Sequence, residues 1–114
     1  MKGILINPID ETITEIEHKG SITDTIDARM MECVCIEKED DIWIDEEGLL
    51  KQSNYFYKYK DILLCGKSLV LGVTDDGDST NCNHTLEELK KDITFKGKQH
   101  IDEGRLGFTI VPLQ

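Results

Sequence analysis

The chain has 114 residues, of which 39% are hydrophobic and 32% charged, with 9 Gly and 2 Pro, enough for one domain with a core that needs no disulfide or structural metal. Lys plus Arg number 13 against 23 Asp plus Glu, a net charge of −10 and a pI near 4.6, which argues against direct binding to nucleic acid. No apolar run approaches the roughly 20 residues of a membrane-spanning helix, and Met1 to Pro8 is too short for a secretory apolar region, so a soluble cytoplasmic protein without a membrane partner is expected.

Lys2 to Asn7 is a β-prone run closed by Pro8, and with Thr12 to Glu17 it predicts an opening hairpin. Lys19-Gly20 breaks the strand. Ser21 then caps a short helix with Asp24 at the capping-box position, and Ile22, Ile26 and Met30 form its apolar stripe. From Met31 the period is two, with Cys33 and Cys35 on one face and Val34 and Ile36 on the other, followed by a strand at Asp41 to Asp45 around Trp43. Glu46-Glu47-Gly48 reads as a turn, Leu49-Leu50 as a strand start and Gln52-Ser53-Asn54 as a loop. Tyr55, Tyr57 and Tyr59 alternate with Phe56, Lys58 and Lys60 across a strand. Ile62 to Thr74 predicts a buried strand, interrupted at Gly66-Lys67 and closed by the Asp75-Asp76-Gly77-Asp78 turn. Thr85 and Glu88 form a capping box for a second helix with Leu86, Leu89 and Ile93 on its apolar stripe, and Leu106 to Leu113 predicts a terminal strand limited to an edge by Pro112. The expected fold is α+β, a small mixed, mostly antiparallel sheet with two short helices. Residues 1–95 make the domain, and 96–114 form a C-terminal extension that packs on it or pairs between chains as a homo-oligomer.

The charge is unevenly placed. Residues 1–50 hold 14 acids and 4 bases, while 51–114 hold 9 of each. Glu37, Glu39, Asp40, Asp41, Asp45, Glu46 and Glu47 lie within eleven residues opposed only by Lys38, a row that offers carboxylates to a basic partner or simply forms a solvated face. The tyrosine strand is a second candidate. Tyr55, Tyr57 and Tyr59 would stack a nucleotide with Lys58 or Lys60 at the rim, or cover one side of a sheet.

Cys33, Cys35, Cys65 and Cys82 read as reduced thiols. The one-residue gaps of Cys33-x-Cys35 and Cys82-x-His84 are poor zinc spacing, so no metal and no cofactor is expected. The aspartates at 75, 76 and 78 lack the spacing of a calcium loop. Catalysis would need a pocket where His18, His84 or His100 meets a carboxylate or Cys82, and none of the three lies in a recognisable nucleophile motif, so no catalytic residue is expected.

The order Lys2-Gly3-Ile4-Leu5-Ile6-Asn7-Pro8, a capped helix, an acidic hairpin, then Ile62-x-x-x-Gly66-x-x-x-x-x-Gly72 before an Asp-Gly turn and the Thr85 to Leu89 helix resembles the domain of unknown function 3846 family over residues 2 to about 95. Lys67 departs from the alanine or threonine usual there, and the tail from Lys96 has no counterpart. The resemblance implies a phage, prophage or plasmid context and an α+β fold, and brings no catalytic residues. With the acidic row, it points to a non-enzymatic accessory protein that inhibits a basic host or defence protein, with a nucleotide-sequestering protein or an enzyme as alternatives. Reversing charge at Asp40, Asp41, Glu46 and Glu47 together is expected to abolish partner binding and leave the fold intact.

Overall fold

The computed structural model describes residues 1–47, 53–102 and 109–112, with residues 53–54, 99–102 and 109–112 described by backbone alone. The strands are β1 (Lys2–Asn7), β2 (Thr12–Glu17), β3 (Met31–Ile36), β4 (Asp40–Asp45), β5 (Ser53–Tyr59), β6 (Ile62–Cys65), β7 (Ser68–Val73), β8 (Ser79–Thr80), β9 (Ile93–Asp102) and β10 (Thr109–Pro112), with helices α1 (Ile22–Thr25) and α2 (Leu86–Asp92). They form two sheets rather than the single mixed one expected, and every described pairing is antiparallel. One sheet has the order β2-β1-β7-β4-β3, with β8 also on β7, and the other β10-β9-β5-β6. The fold is sheet-dominated, and α1 is only a single turn.

The break at Gly66-Lys67 is what separates the sheets. Gly66 takes a left-handed φ of 78°, and the chain leaves β6 in the second sheet to enter β7 at the centre of the first. The expected single strand from Ile62 to Thr74 is therefore two. β7 lies between β1 and β4 and is buried on both faces, which is why Leu69-Val70-Leu71 reads as a continuous apolar run. Val70 joins Ile4, Ile6, Ile42 and Ile44 in the core between the sheets, where Tyr57, Tyr59 and Leu64 of the second sheet meet them. Leu69 and Leu71 face the other way, under Ile26, Ile22 and Trp43.

The caps are as read from the sequence. Ser21 Oγ accepts from the Asp24 N–H, and Thr85 and Glu88 form a reciprocal capping box with distances of 3.2 and 2.8 Å. The stripe through Met30 fails, because the helix ends at Thr25 and Asp27 turns left-handed at φ 57°, leaving Met30 51% exposed. Leu89 is buried on α2, but Ile93 already belongs to β9. Ser53 and Asn54, expected in a loop, open β5; Leu49, Leu50, Gln52, Leu106 and Phe108 lie outside the described residues. β9 was not foreseen. It runs through residue 95, carries β10 at one side, and holds a bulge where Phe56 pairs with Gly97 and Tyr57 with Phe95, so that Lys96 is the extra residue and Gly97 takes a φ of 74°.

Gly72 marks a close approach. A Cβ built there would lie 2.3 Å from the Asn81 carbonyl oxygen, so the segment that follows β8 can pass β7 only over a glycine. Gly72→Ala is expected to destabilise the protein by roughly 1–3 kcal/mol through forced backbone movement, read as a lower urea midpoint at an unchanged slope.

Candidate functional site

Asp40 opens β4 beside the β3–β4 turn and is 1% exposed. Burial of a carboxyl group is tolerated only when its lone pairs are filled, and here one short segment fills them. The Asn83 N–H donates to Oδ1 at 2.9 Å, the His84 N–H to Oδ2 at 2.8 Å, Asn83 Nδ2 to Oδ1 at 3.0 Å, and the Cys82 thiol to Oδ2 at 3.3 Å. His84 Nδ1 lies 2.7 Å from Oδ2. Asp40 already accepts from the other donors, so Nδ1 carries the proton and the ring is fixed in that orientation. Asn83 Nδ2 also donates to the Lys38 carbonyl at 2.8 Å, which ties the segment to the turn itself.

His84 lines a cavity of about 310 Å³ together with Glu37, Lys38, Lys60, Glu88, Lys91 and Asp92. Three elements converge there: the turn after β3, the turn between β5 and β6, and α2. Two ion pairs rim it. Glu37 pairs with Lys60 at 2.7 Å and accepts the Tyr59 hydroxyl proton, and Lys38 pairs with Glu88. The Lys60 ammonium and the Tyr59 hydroxyl hold the Glu37 carboxyl down at about 2, and Lys38 with the Thr85 N–H does the same for Glu88. Cys82 moves the other way, pushed up to about 12 by burial and by Asp40. Lys91 has no ion-pair partner among the described residues. His84 Nε2 likewise has no hydrogen-bond partner there.

The structure disperses the seven residues of the acidic row. Asp40, Asp41 and Asp45 are buried, at 1%, 7% and 8% exposure, and Glu37 is engaged with Lys60. Glu47 meets Arg29 at 3.3 Å, while Glu39 and Glu46 are exposed. Charge reversal that includes Asp40 and Asp41 therefore cannot leave the fold intact: Asp40 would lose every bond to residues 82–84, and a lysine at either site would be a buried unpaired cation.

The tyrosines do not form an open stacking face either. Tyr57 donates to Ser68 Oγ at 2.7 Å in the core, Tyr59 is 2% exposed, and Tyr55 is half-buried with the Lys98 ammonium 6.0 Å from its ring centre. Lys58 is half-buried on β5, and only Lys60 of that group lines the cavity.

His18 is buried, with the Thr25 hydroxyl 3.3 Å from its Nδ1; the side chain of His100 is not described. The pairing set as the condition for catalysis, a histidine meeting a carboxylate at a pocket, is met by His84 with Asp40. The sequence signal for it was present in Cys82-x-His84, but not the partner, which lies more than forty residues earlier among similar acids. Cys33 and Cys35 are exposed on β3 opposite Trp43 and Asp41, on the other face of the sheet from Cys82, so the thiols and His84 are not brought together. Asp75 to Asp78 form a tight turn, with the Thr74 N–H donating to the Asp78 carbonyl at 2.8 Å and Gly77 at φ 87°.

A family description matches residues 1–94. The chain belongs to the domain of unknown function 3846 family. No curated protein and no solved structure matches it. In this member of the family, no helix among the described residues is long and apolar enough to cross a membrane.

Asp40→Asn turns an amide toward donors that need an acceptor, and is expected to cost about 3 kcal/mol in urea denaturation. Glu37 and Glu88 have depressed folded values, so their contribution is complete above the ordinary glutamate value of 4.5 and is lost as pH falls toward 2. Carboxyl-carbon NMR titration is expected to show both midpoints well below those of the other exposed glutamates.

Proposed function

We propose that this family member is a non-enzymatic binding protein that takes a small phosphate-bearing ligand of mononucleotide size in the cavity above His84. The observation that carries this reading is the meeting of Lys38, Lys60 and Lys91 with an immobilised His84 at one concave site. A cavity of about 310 Å³ stands at the small end of ligand pockets, which favours a mononucleotide over a dinucleotide or a nucleic-acid strand. The rim ion pairs are solvent-exposed and individually weak, so a phosphate dianion can displace Glu37 or Glu88 from its lysine. Lys91 offers a cation that needs no displacement.

The same chemistry argues for binding without turnover. Glu37 and Glu88 stay ionised at neutral pH and have no proton to give a leaving group, while Cys82 keeps its proton and is no nucleophile. His84, oriented by Asp40, would have neither a protonated carboxyl group nor a thiolate beside it. Sequestration of a nucleotide signal in the cytoplasm, in the phage or mobile-element setting that the family resemblance suggested, fits such a site, on an α+β reading of the sheet-dominated fold.

A second reading keeps the acidic surface as a contact for a basic host or defence protein. It is favoured by the net charge of −10 and by Glu39 and Glu46, which are exposed at the two ends of β4. The double variant Glu39→Lys with Glu46→Lys replaces the fourfold reversal as its test, and unchanged salt-sensitive capture of a basic partner by that variant would sink it.

Isothermal titration with a panel of mono- and cyclic nucleotides and inorganic phosphate is the direct measurement. At least one phosphate compound is expected to bind, with Lys91→Glu weakening it about tenfold or more and His84→Gln weakening it similarly. Binding that survives Lys91→Glu, or a panel in which nothing binds, overturns the pocket reading.

A further inference from the structure

β3 is the last strand of its sheet, so one backbone edge has no partner strand among the described residues. The Glu46 N–H donates to the Met30 carbonyl at 3.0 Å, which fixes the phase of the β3–β4 ladder. Backbone groups of Glu32, Val34 and Ile36 turn toward β4, and those of Met31, Cys33 and Cys35 turn outward. Proteins ordinarily blunt such edges with charge, proline, a bulge or brevity. Among the described residues the other terminal strands conform: β2 carries exposed Glu15 and Glu17, β6 has four residues, β10 ends on Pro112, and β8, paired only with β7, has two residues. β3 keeps an unbroken six-residue register with β4, has a single charge at Glu32 and neither Lys nor Pro, and exposes Met31 and the adjoining Met30 at 39% and 51%.

We propose that this edge pairs antiparallel with the same edge of a second copy of the chain, about a two-fold axis at Val34. That axis sets Cys33 opposite Cys35 of the second copy and Glu32 opposite its Ile36, so no carboxylate faces another within the paired segment. Beyond the ends, Arg29, which meets Glu47 at 3.3 Å yet keeps its side chain 83% exposed, comes alongside the second copy's acidic turn at Glu37 to Glu39, and symmetry repeats the contact. Parallel pairing would instead set the two acidic turns against each other. Charge complementarity thus selects the antiparallel arrangement, and at physiological salt the repulsion between the remaining charges is screened beyond about 8 Å. The inference does not rest on the proposed function, although Glu37 and Lys38 of that turn also line the cavity.

Sedimentation equilibrium of the full chain over a concentration series tests it. The wild type is expected to approach twice 13.0 kDa at high concentration, and the Cys33→Lys, Cys35→Lys double variant to remain a monomer with an unchanged circular dichroism spectrum. Both cysteines are exposed on one face of the single chain, where the two lysines have room to splay into solvent, whereas across the axis each is set directly opposite a lysine of the second copy, as like charges. A wild type that stays monomeric throughout overturns the proposal, as does a dimer undiminished in the lysine variant. Should that variant misfold, Glu39→Arg serves instead: alone it is expected to weaken the dimer about fivefold, and adding Arg29→Glu to restore it. Failure of the swap to restore pairing would refute the antiparallel axis.

Discussion

The structure depends on one buried carboxyl group. Asp40 stands where the first sheet, the turn after β3 and the approach to α2 meet, and its hydrogen bonds to residues 82–84 are the only described side-chain link that gathers three consecutive residues around one acceptor. Without it the backbone amides of Asn83 and His84 would have to be satisfied elsewhere, and α2 would lose the anchor that sets its first turn over the core. Leu89 of α2 lies in the core between the sheets, and this contact, with the bond from the Lys60 N–H to the Asp92 carbonyl at the far end of α2, holds it there.

The same contact turns a structural requirement into a chemical one. A histidine held through Nδ1 cannot rotate away, so its other nitrogen is presented in a fixed direction whether or not a ligand is bound. The residues around it are held by weaker, solvent-exposed ion pairs that can exchange partners. A rigid floor with an adjustable rim suits recognition of an anion, since the permanent part costs no ordering on binding and the mobile part supplies cations.

Much of the fold was legible from local pattern. The opening hairpin, the alternation of Cys33, Val34, Cys35 and Ile36, both helix caps and the Asp-Gly turn are each governed by interactions within a few residues. What escaped was set at long range. Gly66-Lys67 reads as a pause in one strand, and nothing near it says that the chain changes sheets there. Phe95 to Gln99 looks like a glycine-broken tail because Gly97 serves a bulge whose partner is β5. The candidate site was half legible: His84 and Cys82 stood out by type, but Asp40 was one of many acids, and only burial distinguishes it from Glu39 beside it. The acidic row misled for the same reason, since β4 lies between β3 and β7 and is covered on both faces, which buries Asp40, Asp41 and Asp45 while composition alone reads them as solvated.

The strand order has a consequence for how the chain is made. β1 is held on one side by β2, its neighbour in sequence, and on the other by β7, which begins at Ser68. During synthesis the first hairpin can close as soon as it leaves the ribosome, but Ile4 and Ile6 have no cover until β7 and the second sheet follow. Completion of the core therefore waits on contacts distant in sequence, a topology that folds more slowly than a helical chain of the same length. Until residue 73 emerges the chain carries an opening hairpin whose apolar β1 is in need of a partner, which makes that interval its period of greatest exposure to aggregation.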